Sequence, residues 1–564
     1  MVEAARVDGA SNFLIYRRIA LPLLTPVLIT IAVLTFIGTW NQLDIATLML
    51  RSEMTRVIPQ VLGFLANSNG FLLASAIGSI PALLLLIFCA PQLAQGFGLT
   101  KVSQKNWWSR VLARQPLPES VSKNVLDGAD FVRAVACLAV VWSHLGQRLS
   151  PENIPKWLLE LKSFLMVGGY GVSAFFVLSG MLLALPFWKI YFAAKTMPNL
   201  LEYAKRRFVR IAPGFYVALI VTFIVARSLE PGEQMWLRLF SGLSFSSAFH
   251  YTTFFPTELN GPLWSIGFEV VCYALMPLFM LGLFALARLR PTKQMTRVMK
   301  HNTRTLTRGE TQNTSNSTTK IITKTFDKVA INTSPNLAFT YWLAVLLLAL
   351  GLHFLILNYL VPNSQERGWE YGLIGGAKFW MPNYNPIGWF SHYILGVLCA
   401  GAIAWRQQQK LEQNGKAKIF DTIATVAIVL IPLWVWLVRY SPEFAFSIGM
   451  QPYAFPIFPS LIALLLFSAA FSIRLPKILD NRFSRYTAKL SFGIYIWHYL
   501  ILELVRLLHN SEFKYAGIQN PWYWLFLSLF VTISSYALAS LSYTHIESVF
   551  LPRPNSVSVR NTGS

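Results

Sequence analysis

The sequence predicts an all-α, polytopic transmembrane protein with about ten core spans and two further spans at its N-terminus. Three observations predict it. The 564 residues are 54% hydrophobic and only 13% charged, with a mean hydropathy of +0.47, which no soluble protein of this length matches. Apolar segments long enough to cross a bilayer recur along the chain, with none of the weak alternation of a barrel. Most Lys and Arg lie between those segments. The net charge of +23 therefore reflects basic loops rather than a polyanion partner, and nucleic-acid binding is excluded.

The two N-terminal spans are expected near 19–38 and 71–93. The core spans are expected near 130–148, 164–185, 211–228, 262–287, 337–361, 386–405, 419–438, 454–472, 489–508 and 522–545. If 130–148 runs from inside to outside, the connections 186–210, 288–336, 406–418 and 473–489 and the tail after 548 face the cytoplasm. They hold about 27 Lys and Arg, against about eight in the opposite loops. Both termini are then cytoplasmic, in a multi-pass protein of the inner membrane. No cleavable signal peptide is apparent. The polar stretch 300–335 lacks the residues for a core of its own, and its sequons at Asn313, Asn316 and Asn332 fall on the cytoplasmic side. Cys89, Cys137, Cys272 and Cys399 lie in apolar sequence without metal-type spacing, so they read as small buried hydrophobes. No metal site and no permanently bound cofactor are expected.

The chain divides into 1–98, a basic linker at 99–128, a membrane domain at 129–550 and a tail at 551–564. It opens on EAARVDGASNFLIYRRIALP, an amphipathic helix, a turn and a span. Glu3, Ala4, Ala5, Gly9, Ile19, Leu21 and Pro22, with Trp40-Asn41 and Gln95-Gly96 further on, carry a resemblance to sugar-type ABC importer permeases and their coupling loop. That resemblance implies an ABC ATPase docking at residues 3–22. The earlier permease helices are missing and no G-x-x-x-x-G-K-[ST] loop occurs, so the segment reads as a remnant or fusion without transport. A permease subunit of a sugar importer is the alternative function.

Arg133 and His144 stand in the apolar stretch DFVRAVACLAVVWSHLGQRL, where ionisable residues are costly and mark function. Eleven residues at 100° each come within about 20° of three full turns, so both face one way, about 16 Å apart along the axis. A guanidinium near one surface and an imidazole deep inside suggest a site reached across the bilayer. A sugar hydroxyl is a poor nucleophile, and a positioned His is the usual general base; His144 fills that role. Glu269, about two turns into its span, is at a similar depth and is expected to hold the imidazole's tautomer. Lys205, Arg206, Arg207 and Arg210 stand at the cytoplasmic mouth, where guanidinium groups suit phosphates.

Tyr495 and His498 share a face by i,i+3 spacing, as a polar clamp or a second catalytic group. His545 and Glu547 lie at the cytoplasmic edge, and His353 and His392 read as structural. Glu258 and His250 are outer-loop residues that no spacing ties to an acceptor. Gly168, Gly169, Gly171, Ser179 and Gly180 read first as helix-packing positions.

The order R-x10-H, GGYGVSAFFVLSG (168–180), KRRFVRIAP (205–213), GPLWSIGFEVVCY (261–273), SFGIYIWHY (491–499) and YTHIES (543–548) resembles the acyltransferase-3 family of integral-membrane O-acyltransferases. The resemblance implies transfer of a short acyl group, commonly acetyl, from cytoplasmic acyl-CoA as cosubstrate to a hydroxyl of an envelope glycan, a lipid-linked sugar or an exported small molecule. It maps R-x10-H onto Arg133 and His144, R-x-x-R onto Arg207 and Arg210, and W-S-x-x-x-E onto Glu269. The expected set is therefore His144 and Glu269 as catalytic residues and Arg133, Arg206, Arg207 and Arg210 for the donor, with Tyr495, His498 and Ser179 supporting. After Glu269 the chain reads VVCY where the family often has a second polar residue.

Overall fold

In the computed structural model the chain forms two compact units, Met1–Asn124 and Val125–Ser564. The structure describes residues 128–152, 154–289, 333–360, 383–409, 413–440, 447–448, 451–509 and 515–550, with isolated positions between 11 and 35. In the first unit, the described positions from Leu24 to Thr35 are helical, within the expected span 19–38. The coupling-loop residues Glu3–Gly9 and Ile19–Pro22, Trp40-Asn41, Gln95-Gly96, Cys89, the span 71–93, the linker, the three sequons and the tail lie outside the described residues.

The second unit begins with α1 (Ala129–Gly146), and its start is set by distant sequence. Gly128 adopts the left-handed conformation (φ 83°), and a Cβ there would stand 2.6 Å from that of Ala469; glycine meets both demands. The carboxylate of Asp480 accepts from the N–H groups of Gly128 (2.6 Å) and Phe131 (3.1 Å). It caps the helix from some 350 residues away and complements its dipole. α2 (Lys156–Met166) runs through a 3₁₀ turn, Val167–Gly169, into α3 (Tyr170–Phe192). Gly168 and Gly171 permit that turn to press on α1, since a Cβ at either would fall 2.1 or 2.4 Å from the carbonyl oxygen of Ala139 or Ala136. The packing reading of these glycines stands.

α4 (Leu200–Leu229) is capped by Asn199, whose side chain accepts from Leu201 and Glu202 N–H. The short α5 (Met235–Leu243) and 3₁₀ turns lead into α6 (Trp264–Leu289). α7 (Pro335–Leu355), α8 (Pro386–Gln408), α9 (Gln413–Val438) and α10 (Ile457–Ala469) follow. Then come α11 (Leu475–Leu479), α12 (Arg482–His509) and α13 (Pro521–Ser542), which ends in a π turn, Tyr543–Glu547. α3 and α8 form the centre: Gly180 lies against the carbonyl of Tyr393 and Gly396 against that of Val177, which is how small residues bring membrane helices together. α7 and α9 lie outside, turning exposed Leu347, Val429 and Leu437 toward the lipid.

Among the described residues nine helices are long and apolar enough to cross a membrane, and there is no strand; the protein is a multi-pass helical membrane protein. The expected core span 454–472 holds the shorter apolar helix α10, and the segment runs beside α1 from Tyr453, in one pocket with His144, to Ala469, against Gly128. α10 has 13 residues, about 20 Å of helix against about 30 Å of hydrocarbon. The chain before it, Tyr453–Pro456, turns inward, and Phe455 is buried. Cys137, Cys272 and Cys399 are buried free thiols.

Candidate active site

α1 carries both groups that the helical period placed on one face, and each faces the protein interior within a separate chamber. The first chamber, about 150 Å³, includes Arg133, Ser179, Arg207, Arg210, Glu269 and Tyr273 in its walls. The second, about 370 Å³, includes His144, Gln147, Trp264, Tyr384, Arg439 and Tyr453. The two share Val172 and Tyr495. The site reached across the bilayer thus comprises two chambers with a common wall. Tyr495 is fixed there because its hydroxyl bonds to Ser265 Oγ at 2.7 Å and donates to the carbonyl of Pro262 at 3.1 Å.

In the first chamber α1, α4 and α6 contribute the charges. Arg207 and Arg210 are one turn apart on α4, so they share a face. No carboxylate lies within ion-pair distance of Arg133, Arg207 or Arg210 among the described residues, and the buried Nε of Arg207 has no hydrogen-bond partner. Arg206 points 100° away, is 67% exposed and pairs with Glu202 on its own helix. The structure thus brings three of the four expected arginines together and turns Arg206 and Lys205 outward. Three guanidinium groups against one carboxylate, Glu269, leave the chamber electropositive, which suits an anion.

Glu269 accepts from Ser179 Oγ at 2.6 Å and from the hydroxyl of Tyr273, one turn further along α6. Its expected pairing with His144 is corrected, because similar depth on two helices does not place side chains on the same side of Tyr495. In the second chamber His144 Nδ1 stands 3.3 Å from Gln147 Oε1. With the carboxamide oxygen accepting, Nδ1 carries the proton and Nε2 presents its lone pair. The hydrogen-bond partner of the imidazole is thus Gln147, three residues on in the same helix end, and not Glu269. The sequence reading missed Gln147 and Tyr273, although the i,i+3 and i,i+4 spacings to His144 and Glu269 were available signals.

His498 stacks on His144 with ring centroids 5.4 Å apart, and Tyr499 meets it edge-on at 4.9 Å. His498 Nδ1 donates to the carbonyls of Tyr495 (2.8 Å) and Ile494 (3.2 Å), and its buried Nε2 has no partner. A network outside the chamber supports this wall. Arg148, fully buried, pairs with Glu503 at 2.5 Å and lies over the Tyr499 ring; Glu503 also pairs with Arg506 at 2.5 Å.

The remaining candidates have local partners. Ser173 Oγ and His392 Nδ1 are 2.8 Å apart, and Asn385 Nδ2 donates to His353 Nδ1 at 2.8 Å. His545 Nδ1 donates to the carbonyl of Leu541, and Glu547 accepts from Ser542. Glu258 pairs with Arg238, and His250 accepts from the N–H of Thr252. Among the described residues no His, Cys, Asp and Glu gather as a metal site.

Residues 126–540 match the family model described as acyltransferase domain, which is most of the chain, and the chain belongs to the acyltransferase-3 family. Residues 1–96 match a second model, the binding-protein-dependent transport system inner membrane component. Among curated proteins the chain is 27% identical to the acyltransferase MdmB of Streptomyces mycarofaciens over 170 residues, 29% of this chain and 40% of that protein. It is 29% identical to the O-acetyltransferase OatA of Staphylococcus aureus strain NCTC 8325 over 185 residues, 31% of this chain and 28% of OatA. Its N-terminal part is 33% identical to the probable ABC transporter permease protein YurM of Bacillus subtilis over 99 residues, 17% of this chain and 33% of YurM. The chain thus spans less than half the length of each. No solved structure gives a significant match.

Proposed function

We propose that this protein is a membrane O-acyltransferase that moves a short acyl group, acetyl in the first instance, from acyl-CoA to a hydroxyl of a glycan or other sugar-bearing acceptor. The observation that carries the reading is an unpaired guanidinium cluster and an imidazole with a free Nε2 in adjacent chambers. Family membership supports the class of reaction, as do the names of MdmB and OatA.

Arg133, Arg207 and Arg210 hold the donor's phosphates at the cytoplasmic face, and the thioester reaches toward Tyr495. The acceptor hydroxyl lies beside His144, whose Nε2 takes its proton as the oxygen attacks the thioester carbon. The tetrahedral adduct collapses, the C–S bond breaks and the CoA thiolate leaves, taking up the proton that His144 accepted, which gives an ester, free CoA and the neutral imidazole. Gln147 keeps the imidazole in the tautomer that accepts at Nε2, and the wall at Tyr495 and Val172 has to yield for the two substrates to meet. Glu269 offsets part of the chamber's positive charge and fixes Ser179 and Tyr273. The protein sits in the inner membrane with both termini cytoplasmic, an orientation that rests on the loop charges.

The test is thioester consumption by the purified protein in lipid vesicles supplied with acetyl-CoA and a panel of sugar acceptors. Acceptor-dependent release of CoA thiol is expected; none with any hydroxylated acceptor would remove the reading. A second reading rests on the permease match of residues 1–96: an ABC ATPase docks on residues 3–22. It predicts that the ATPase co-purifies with the chain and that Gly9→Asp abolishes both the association and solute uptake.

A further inference from the structure

A third cavity, about 350 Å³, lies between α1, α2, α9 and α10 and plays no part in the scheme above. Its walls are hydrocarbon, among them Val135, Ala139, Phe164, Ile428 and Leu465, and Tyr170 is the one polar side chain among its lining residues. Val135 and Phe164 are about half and two-fifths exposed, so at membrane depth the cavity opens toward the lipid. Along α1 it begins at Phe131, near the guanidinium end, and climbs to the turn at Val167–Tyr170. There it meets the His144 chamber, since Val167 and Tyr170 belong to both walls. It shares no lining residue with the guanidinium chamber.

We infer that this cavity holds a hydrocarbon chain carried by the acceptor, with the acceptor's hydroxyl-bearing head beside His144. The inference rests on the acyltransferase reading and narrows its acceptor to a lipid-tailed sugar. An apolar slot at this depth takes hydrocarbon because burial of methylenes there excludes nothing polar. The slot opens into the chamber of the acceptor hydroxyl and shares no wall with the one that holds the donor's phosphates, which favours the acceptor's chain as occupant. A chain seated in the slot delivers its head to the imidazole and removes much of the orientational freedom that a free sugar keeps. The head is uncharged: Arg439, the guanidinium of the His144 chamber, is already paired with Glu160 at 3.0 Å.

The full-length protein in phosphatidylcholine vesicles is photolabelled with hexadecyl glucoside bearing a diazirine near the end of its chain. Label is expected on α1 and α9, displaced by excess plain hexadecyl glucoside and not by the same excess of added phosphatidylcholine. Val135→Trp and Ile428→Trp, both partly exposed positions that tolerate bulk, each lower that labelling about tenfold, whereas Leu343→Trp on the lipid face of α7 leaves it unchanged. Equal displacement by phosphatidylcholine makes the slot a groove for bulk lipid and overturns the inference, as does label elsewhere or undiminished label in both tryptophan variants. Acetyl-CoA consumption with either hexadecyl glucoside or methyl glucoside, read in the same vesicles, keeps the two proposals apart. Its absence beside specific labelling removes the acyltransferase reading, and its presence beside displacement by phosphatidylcholine removes the tail site alone.

Discussion

In the proposed reaction His144 relies on Gln147, three residues away, to hold its ring. Gln147→Ala leaves the ring free to rotate and to change tautomer, so kcat is expected to fall about tenfold to a hundredfold with KM nearly constant, whereas His144→Ala removes the base and costs about 10²–10⁴ in kcat. Steady-state kinetics with saturating acetyl-CoA separates these effects; a Gln147→Ala enzyme at the parental rate would contradict the orienting role. The arginines make a second pair of expectations. Arg207→Ala, losing a buried group in the donor chamber, raises the KM for acetyl-CoA about tenfold or more, and Arg206→Ala, on the solvent side and already paired, changes it less than about twofold. At this scale the helical period made the shared face of Arg133 and His144 legible, and the R-x-x-R spacing did the same for Arg207 and Arg210. Depth alone did not show that Tyr495 stands between Glu269 and His144, because sequence gives height along a helix and says nothing of lateral position between helices.

At the scale of elements, α3 and α8 meet backbone to backbone. A Cβ at Gly396 would fall 1.9 Å from the carbonyl oxygen of Val177, so Gly396→Ala must push the two central helices apart, at a cost of about 1–3 kcal/mol. A lower melting midpoint in detergent is expected, and an unchanged one would show that the contact is not tight. The buried pair behind Tyr499 makes a different demand. Glu503→Ala removes the carboxylate that Arg148 and Arg506 share, with Glu230 still paired to Arg506, and removing one partner of a buried pair typically costs about 3–5 kcal/mol, so loss of folded protein is the expected outcome. Most spans were legible as long apolar segments, since lipid leaves the backbone little choice but helix. The segment 454–472 was legible as apolar but not in its shape, a turn at Tyr453–Pro456 followed by the short helix α10, because composition does not tell a turn from a continuous helix.

At the scale of the molecule, the account is one of two substrates meeting inside a helical bundle. The second unit, Val125–Ser564, contains both chambers and every residue assigned a role in transfer. A chain of residues 125–564 is therefore expected to keep acyl transfer within about threefold of the full protein, the scale of a small change in binding free energy; a complete loss would give the permease-like segment a part in the reaction. The measurement that bears most directly on the central claim uses sealed vesicles of uniform orientation, with labelled acetyl-CoA on the face where α1 begins and a sugar acceptor on the face where it ends. The account predicts that label appears on the acceptor across the membrane and that His144→Ala abolishes it while donor binding persists. Transfer confined to the donor's own side, or undiminished transfer by the His144→Ala protein, would contradict it.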